Sequence, residues 1–247
     1  GKRYRVFQNE DLFQFGDNIL DGGASWESAG SIKDGKVVFG SLVVPREFVL
    51  DPAGANDKTT TYLLVSSSHD GSASVTASIT PVRVVCQNTL NMALKGCKQS
   101  FKLRHTLKTG ERTAEARRVL GLTFAHMDSF ETIAQGLFQS SMDSQAWDKL
   151  VNAVYPKPDA QSAPQSLTKW QAKRDLLDDI YFQSPTQTNI KGNYWGALNA
   201  LTERLDYFRS SRTANGEALI GAAAGFDPTV NAEKARILKA VREFASV

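Results

Sequence analysis

Residues 24–44 read ASWESAGSIKDGKVVFGSLVV, two strand-like runs on either side of Lys33-Asp34-Gly35-Lys36. An Asp-Gly pair supplies the tight reversal that antiparallel strands need, so Ala24–Ile32 and Val37–Val44 are expected to form a β-hairpin. Thr59–Ser67 and Ser74–Val85 are two further β-branched runs, joined by His69-Asp70-Gly71-Ser72, and they predict a second hairpin. Pro45–Lys58, with Pro52, Gly54 and Asn56, reads as the loop between the hairpins. Upstream, apolar residues at 7, 12, 15, 19 and 20 have a helix-like spacing that stops at Asp21-Gly22-Gly23. Downstream, Gln87-Asn88 can cap a short helix over Thr89–Lys95, which Gly96 closes. Ser100–His105 returns to strand spacing, with Lys102 and Arg104 on one face.

From Glu111 the apolar period becomes helical: Ala116, Leu120, Phe124, Met127, Phe130, Ala134 and Phe138 recur every three or four residues. A shorter helix carries Trp147, Leu150, Val151 and Val154. Pro156–Ser166 is rich in Pro, Gln and Ser and reads as a linker or loop. Beyond it, Leu167–Phe182, Tyr194 to about Arg212, and a segment opened by Asp227-Pro228 are helical. The fold class expected is α+β, with antiparallel hairpins in the N-terminal half packed with a long helix, and a helical C-terminal half. The domains expected are a core over 1–155 and a helical region over 167–247.

The chain has 247 residues, 41% hydrophobic and 22% charged, which excludes a disordered or fibrous class. No run approaches the roughly 18 apolar residues of a membrane span. Gly1-Lys2-Arg3-Tyr4-Arg5 leads into polar residues rather than a signal-peptide core, so secretion is not expected. Cys86 and Cys97 make no disulfide framework, which suits a reduced, cytoplasmic compartment.

The net charge of +3 is unevenly spread: residues 95–118 carry eight basic and two acidic side chains, +6, against −3 for the rest. Such a segment suits a polyanion. Arg83, Lys95, Lys98, Lys102, Arg104, Arg112, Arg117 and Arg118 are therefore the candidate nucleic-acid-binding residues, expected on one cationic surface that holds a phosphate backbone. Arg204, Arg209 and Arg212 offer a second, weaker anion-binding face beside the apolar stripe Trp195, Leu198, Leu201, Leu205 and Phe208. Trp26, Phe39, Tyr62 and Phe101 lie on strands, either as core or as platforms for stacked bases.

No catalytic, metal or cofactor constellation assembles. His69, His105 and His126 fall on different elements without metal-ligand spacing. Consecutive turn residues Ser68-His69-Asp70 cannot converge on one reacting atom. Asp175, Asp178 and Asp179 share one helix and read as a solvated face, and neither GxxxxGK[ST] nor a strand-linked GxGxxG occurs. The residues point to a binding module rather than an enzyme.

Val6-Phe7-Gln8-Asn9-Glu10-Asp11, Asp17–Ser28, Ser67–Ser72, Thr80–Leu90, Arg104-His105-Thr106, Ala114–Arg117 and, more loosely, Trp195–Asn199 together resemble the phage/plasmid-like domain-of-unknown-function 932 family. Members carry a further segment before the Phe-Gln-Asn motif, so one is expected upstream of Gly1. The order of helix, hairpin, strands and basic helix is similar to that of the Rad fifty-two superfamily of single-strand annealing proteins. That resemblance implies a homo-oligomeric ring or filament whose cationic groove holds one DNA strand. The function expected is ATP-independent single-stranded DNA binding and strand annealing in phage or plasmid recombination, in the cytoplasm of a bacterial host. A phage or plasmid protein-binding factor, such as an inhibitor of host defence, is the alternative. A nuclease or other DNA-modifying enzyme is the third reading, should Asp175, Asp178 or Glu203 meet another carboxylate.

Overall fold

The computed structural model describes residues 8–20, 23–32, 34–69, 75–83, 88–89, 100–102, 109–159, 161, 163–209 and 227–247. Helix α1 (Asn9–Leu20) precedes strands β1 (Ser25–Ile32), β2 (Val37–Leu50), β3 (Asp57–Ser68) and β4 (Thr76–Arg83), with short strands β5 (Asn88–Thr89) and β6 (Ser100–Lys102). Helices α2 (Thr109–Gln139), α3 (Ser144–Val154), α4 (Pro164–Gln183), α5 (Tyr194–Tyr207) and α6 (Pro228–Ala245) follow, with a 3-10 turn at Pro185–Gln187. The fold is α+β, as the change of apolar period implies.

Strands β1 to β4 form an antiparallel meander, and β5 and β6 pair with different stretches of the outer edge of β4. Asp34 and Gly35 both have positive φ, 54° and 80°, which is the backbone a two-residue hairpin turn demands. The expected loop over Pro45–Lys58 is shorter: β2 runs on to Leu50 and β3 starts at Asp57. Pro45 is tolerated because the register slips between Val44 and Glu47, a bulge at which the missing N–H breaks no ladder bond. The bulge also re-aims Arg46 onto Asp128 of α2, with Nη2 at 2.7 Å. Nor does a helix begin at Thr89. Asn88 and Thr89 pair with Arg83 and Val82, because the open edge of β4 outcompetes the local capping signal; residues 90–95 lie outside the described residues.

The main core lies between the sheet and the helices. Leu12, Phe15 and Ile19 of α1, Leu42, Phe48, Leu63 and Ile79 of the sheet, and Met127 and Phe130 of α2 share one buried cluster with Trp147, Leu177, Trp195, Leu201 and Val241. Phe48, Phe130 and Trp195, with centroids 6.0–6.5 Å apart, join β2, α2 and α5. Among the described residues, Ile32, Val37, Phe39 and Leu64 form a second cluster. Helix α1 meets the sheet through Trp26, whose ring lies where a Cβ on Gly16 or Gly40 would sit within 2.2 and 2.5 Å of it. Only glycine fits either place.

Candidate functional site

The C-terminal end of β4 and the first residue of β3 meet at a fully buried ion pair. Asp57 takes Arg83 Nε at 2.7 Å and Nη2 at 2.7 Å, the Trp195 indole N–H at 2.8 Å and Asn189 Nδ2 at 3.1 Å. Arg83 also donates to the Thr186 carbonyl at 2.6 Å and to Asn189 Oδ1 at 2.8 Å. Next to it, Glu203 accepts from Thr186 Oγ1 at 2.8 Å and Gln187 Nε2 at 3.1 Å, and burial pushes its carboxyl up. This network ties the sheet to the 3-10 turn and α5, and each partner of Arg83 fixes its position.

Arg83 is therefore removed from the cationic surface expected of it: its guanidinium faces the sheet–helix junction, not solvent. Of the remaining candidates, Lys102 lies on β6 opposite Thr76, at the edge of the sheet. Arg112, Arg117 and Arg118 lie in the first turns of α2; Arg118 is exposed and holds Glu115 with Nε at 2.7 Å. Lys95, Lys98 and Arg104 lie outside the described residues, as do the side chains of Lys102, Arg112 and Arg117. Among the described residues, the basic segment thus reaches the β4 edge of the sheet at Lys102 and the start of α2 at Arg112, Arg117 and Arg118.

The helical half holds a second cationic cluster, of which only Arg204 stood out in the sequence. Tyr155, which caps the C-terminus of α3, is buried beneath three cations from three helices. Lys173 Nζ of α4 is 4.5 Å from its ring centroid, and the guanidinium carbons of Arg204 (α5) and Arg236 (α6) are 5.4 Å away. Glu233 is the carboxylate among them: it accepts the Tyr155 hydroxyl at 2.6 Å and lies 3.5 Å from Arg204. Arg236 donates to the Val154 carbonyl and the Trp170 indole N–H to the Tyr155 carbonyl at 2.9 Å, satisfying the end of α3. Burial and the two arginines push the Lys173 ammonium down, while Glu233 pushes it up. Burial and Glu233 push the Tyr155 hydroxyl up, so it stays a donor. Trp170 also lines an open groove of about 850 Å³ with Lys157, Leu167, Thr168, Gln171 and Asp175.

The other sequence candidates separate. Arg209 pairs with Asp227 at 2.7 Å, and Arg212 lies outside the described residues. Asp178 takes the Trp147 indole N–H at 2.7 Å and shares Arg174 with Asp148, while Asp175 accepts from Gln171. Among the described residues no group of three or more His, Cys, Asp or Glu could hold a metal ion. Nor is any described helix long and apolar enough to cross a membrane. Phe39 is core, and Trp26 packs on Phe13 at 5.4 Å. Phe208, expected in the apolar stripe of α5, is 51% exposed because the helix ends at Tyr207 and the face it would continue is lost.

Several of the motif residues meet in space: Asn9 bonds His69 at 2.7 Å, Asp17 accepts the Trp26 indole N–H at 3.0 Å, and Arg83 and Trp195 converge on Asp57. They hold the helix, the hairpins and the helical half in register, and together these features define an α+β protein built on one antiparallel meander. The chain belongs to the family described as a domain of unknown function, DUF932, whose model matches residues 1–223. No curated protein and no solved structure gives a significant match.

Proposed function

We propose that the chain is an ATP-independent single-stranded DNA-binding and strand-annealing module of phage or plasmid recombination, working as a homo-oligomeric ring or filament in the cytoplasm of a bacterial host. The observation that carries this reading is the +6 charge of residues 95–118, of which Lys102 lies on the edge strand β6 and Arg112, Arg117 and Arg118 in the first turns of α2. Lysine and arginine on such a segment bind phosphates by releasing counterions, a mode that reads no base sequence. The similarity of element order to single-strand annealing proteins favours one strand as the ligand and an oligomer as the working form.

The test replaces Lys102 and Arg104 together by alanine, checks folding by circular dichroism, and follows single-strand affinity against salt. Each lost phosphate contact is expected to reduce the logarithmic salt slope by about 0.7. An unchanged affinity and slope would remove both residues from the site. Light scattering that finds only monomer at micromolar concentration would rule out the ring or filament. A phage or plasmid protein-binding factor is the second reading, favoured by Tyr207 and Phe208, which are 43% and 51% exposed at the end of α5. Absence of any DNA binding at low salt would make it the first.

A further inference from the structure

Among the described residues, the cluster around Tyr155 carries more positive than negative charge. Glu233 balances one of the three cations, and the C-terminus of α3 contributes the equivalent of about half a negative charge. Among the described residues, roughly one and a half positive charges are left over. Among the described residues, Lys173 Nζ has no carboxylate within ion-pair distance and lies over an aromatic face instead. The Nε of Arg204 is buried without a hydrogen-bond partner among the same residues. Arg236 is exposed and spends one nitrogen on the Val154 carbonyl.

We infer that Lys173, Arg204 and Arg236 form a binding site for the terminal phosphate of a nucleotide, whose base lies along Trp170, one turn away on α4. A phosphate monoester carries about −1.5 to −2 at neutral pH, which matches the excess charge, whereas an internal phosphodiester carries only −1. Trp170, whose indole N–H bonds the Tyr155 carbonyl at 2.9 Å, supplies the aromatic surface a base needs beside that phosphate. Trp170 is half-buried, offers an indole face, and is already approached by Lys157, whose Nζ is 5.5 Å from its ring centroid. Trp170 and Lys173 are three apart on α4, so ring and ammonium lie on one side of the helix. The site is separate from the basic segment of residues 95–118 and does not depend on the reading of that segment. Its ligand is either a free mononucleotide or the phosphorylated end of a strand, since both present the same group.

The experiment titrates the intact chain, at fixed ionic strength in chloride, with thymidine 5′-monophosphate and with thymidine. A parallel pair is a short oligothymidylate with and without a 5′-phosphate. The phosphorylated member of at least one pair is expected to bind about tenfold more tightly than its partner. Preference within the first pair identifies a mononucleotide as ligand, and preference within the second alone identifies a strand end. Lys173→Gln should abolish the preference, and Arg236→Gln should reduce it while Arg236→Lys restores most of it. Trp170→Leu should weaken the nucleotide but leave inorganic phosphate binding unchanged. The Lys102→Ala/Arg104→Ala chain should keep the preference whether or not it binds DNA. Equal binding of both members of each pair, or an undiminished preference in folded Lys173→Gln, overturns the site.

Discussion

Arg83 and Lys173 are both cations held against helices of the C-terminal half, but their surroundings differ in kind. Around Arg83 the acceptors suffice: the guanidinium meets the Asp57 carboxylate, Trp195, Asn189 and the Thr186 carbonyl complete the bonding, and Glu203 lies beside them. Lys234 of α6 shows the same economy, buried against Asp206 of α5 at 2.7 Å. Around Lys173, three cations share Glu233. Where evolution needs only a joint, the acceptors present suffice for the donors. An excess of one sign in a partly solvated place is left for something that arrives later.

The Arg83 junction should be the more costly of the two to break. Arg83→Met leaves the Asp57 carboxylate buried without its cation, and unfolding in urea should show a loss of about 3–5 kcal/mol. A loss near zero would mean that the junction is solvated and the contrast with Lys173 is one of degree.

A second break in the balance concerns His126, buried in α2 with neither ring nitrogen bonded among the described residues. Burial pushes its imidazole down from 6.5 to about 4. The unfolded chain therefore takes up a proton near 6.5 that the folded chain refuses until about 4. The stability this group confers is complete above 6.5 and is lost as pH falls towards 4, by on the order of 3 kcal/mol. Glu203 acts in the opposite direction: its raised carboxyl favours the folded state as pH falls through the window just above its ordinary 4.5. The difference between the wild type and His126→Leu isolates the histidine, and should itself vary with pH between 6.5 and 4. Equal pH profiles would show that His126 is charged or solvated when folded. Smaller again is Trp195→Phe, which keeps the aromatic contacts with Phe48 and Phe130 but removes one donor to Asp57. A loss of about 1–3 kcal/mol is expected in the same urea assay.

The sequence made part of this legible. Asp34-Gly35 announced the hairpin because its chemistry is local, and the spacing from Leu120 to Phe138 announced α2 because one helix face is buried from Val119 to Leu137. Pro45 misled because a bulge depends on the partner strand. Asn88 misled because a cap is local while the open edge of β4 is not. Arg83 was misplaced although a signal was present. Alternation along β4 puts it in phase with Ala77 and Ile79, both core, so its face is the buried one. Asp57, its counter-charge, is 26 residues away and could not be paired with it by spacing. The Tyr155 cluster draws on α3, α4, α5 and α6, and no motif spans it. Only the register of four helices brings Lys173, Arg204 and Arg236 to one ring.

The smallest effect expected is the most discriminating. Lys173→Gln keeps the length and much of the packing of the side chain over Tyr155 but removes its charge. Were Lys173 a structural cation like Arg83, its loss would leave a carboxylate unbalanced and lower stability by more than 1 kcal/mol. Glu233, however, keeps Arg204 at 3.5 Å and the Tyr155 hydroxyl at 2.6 Å without it. The change also relieves repulsion from Arg204 and Arg236, the two groups that with burial push the ammonium down. The cation–π contact it gives up is a partly solvated one, worth about 0.5–1 kcal/mol. These terms oppose one another, so urea unfolding at neutral pH should find Lys173→Gln within about 0.5 kcal/mol of the wild type. A loss several times larger would place Lys173 with Arg83 among the joints of the fold, and the excess charge at Tyr155 would then be structural.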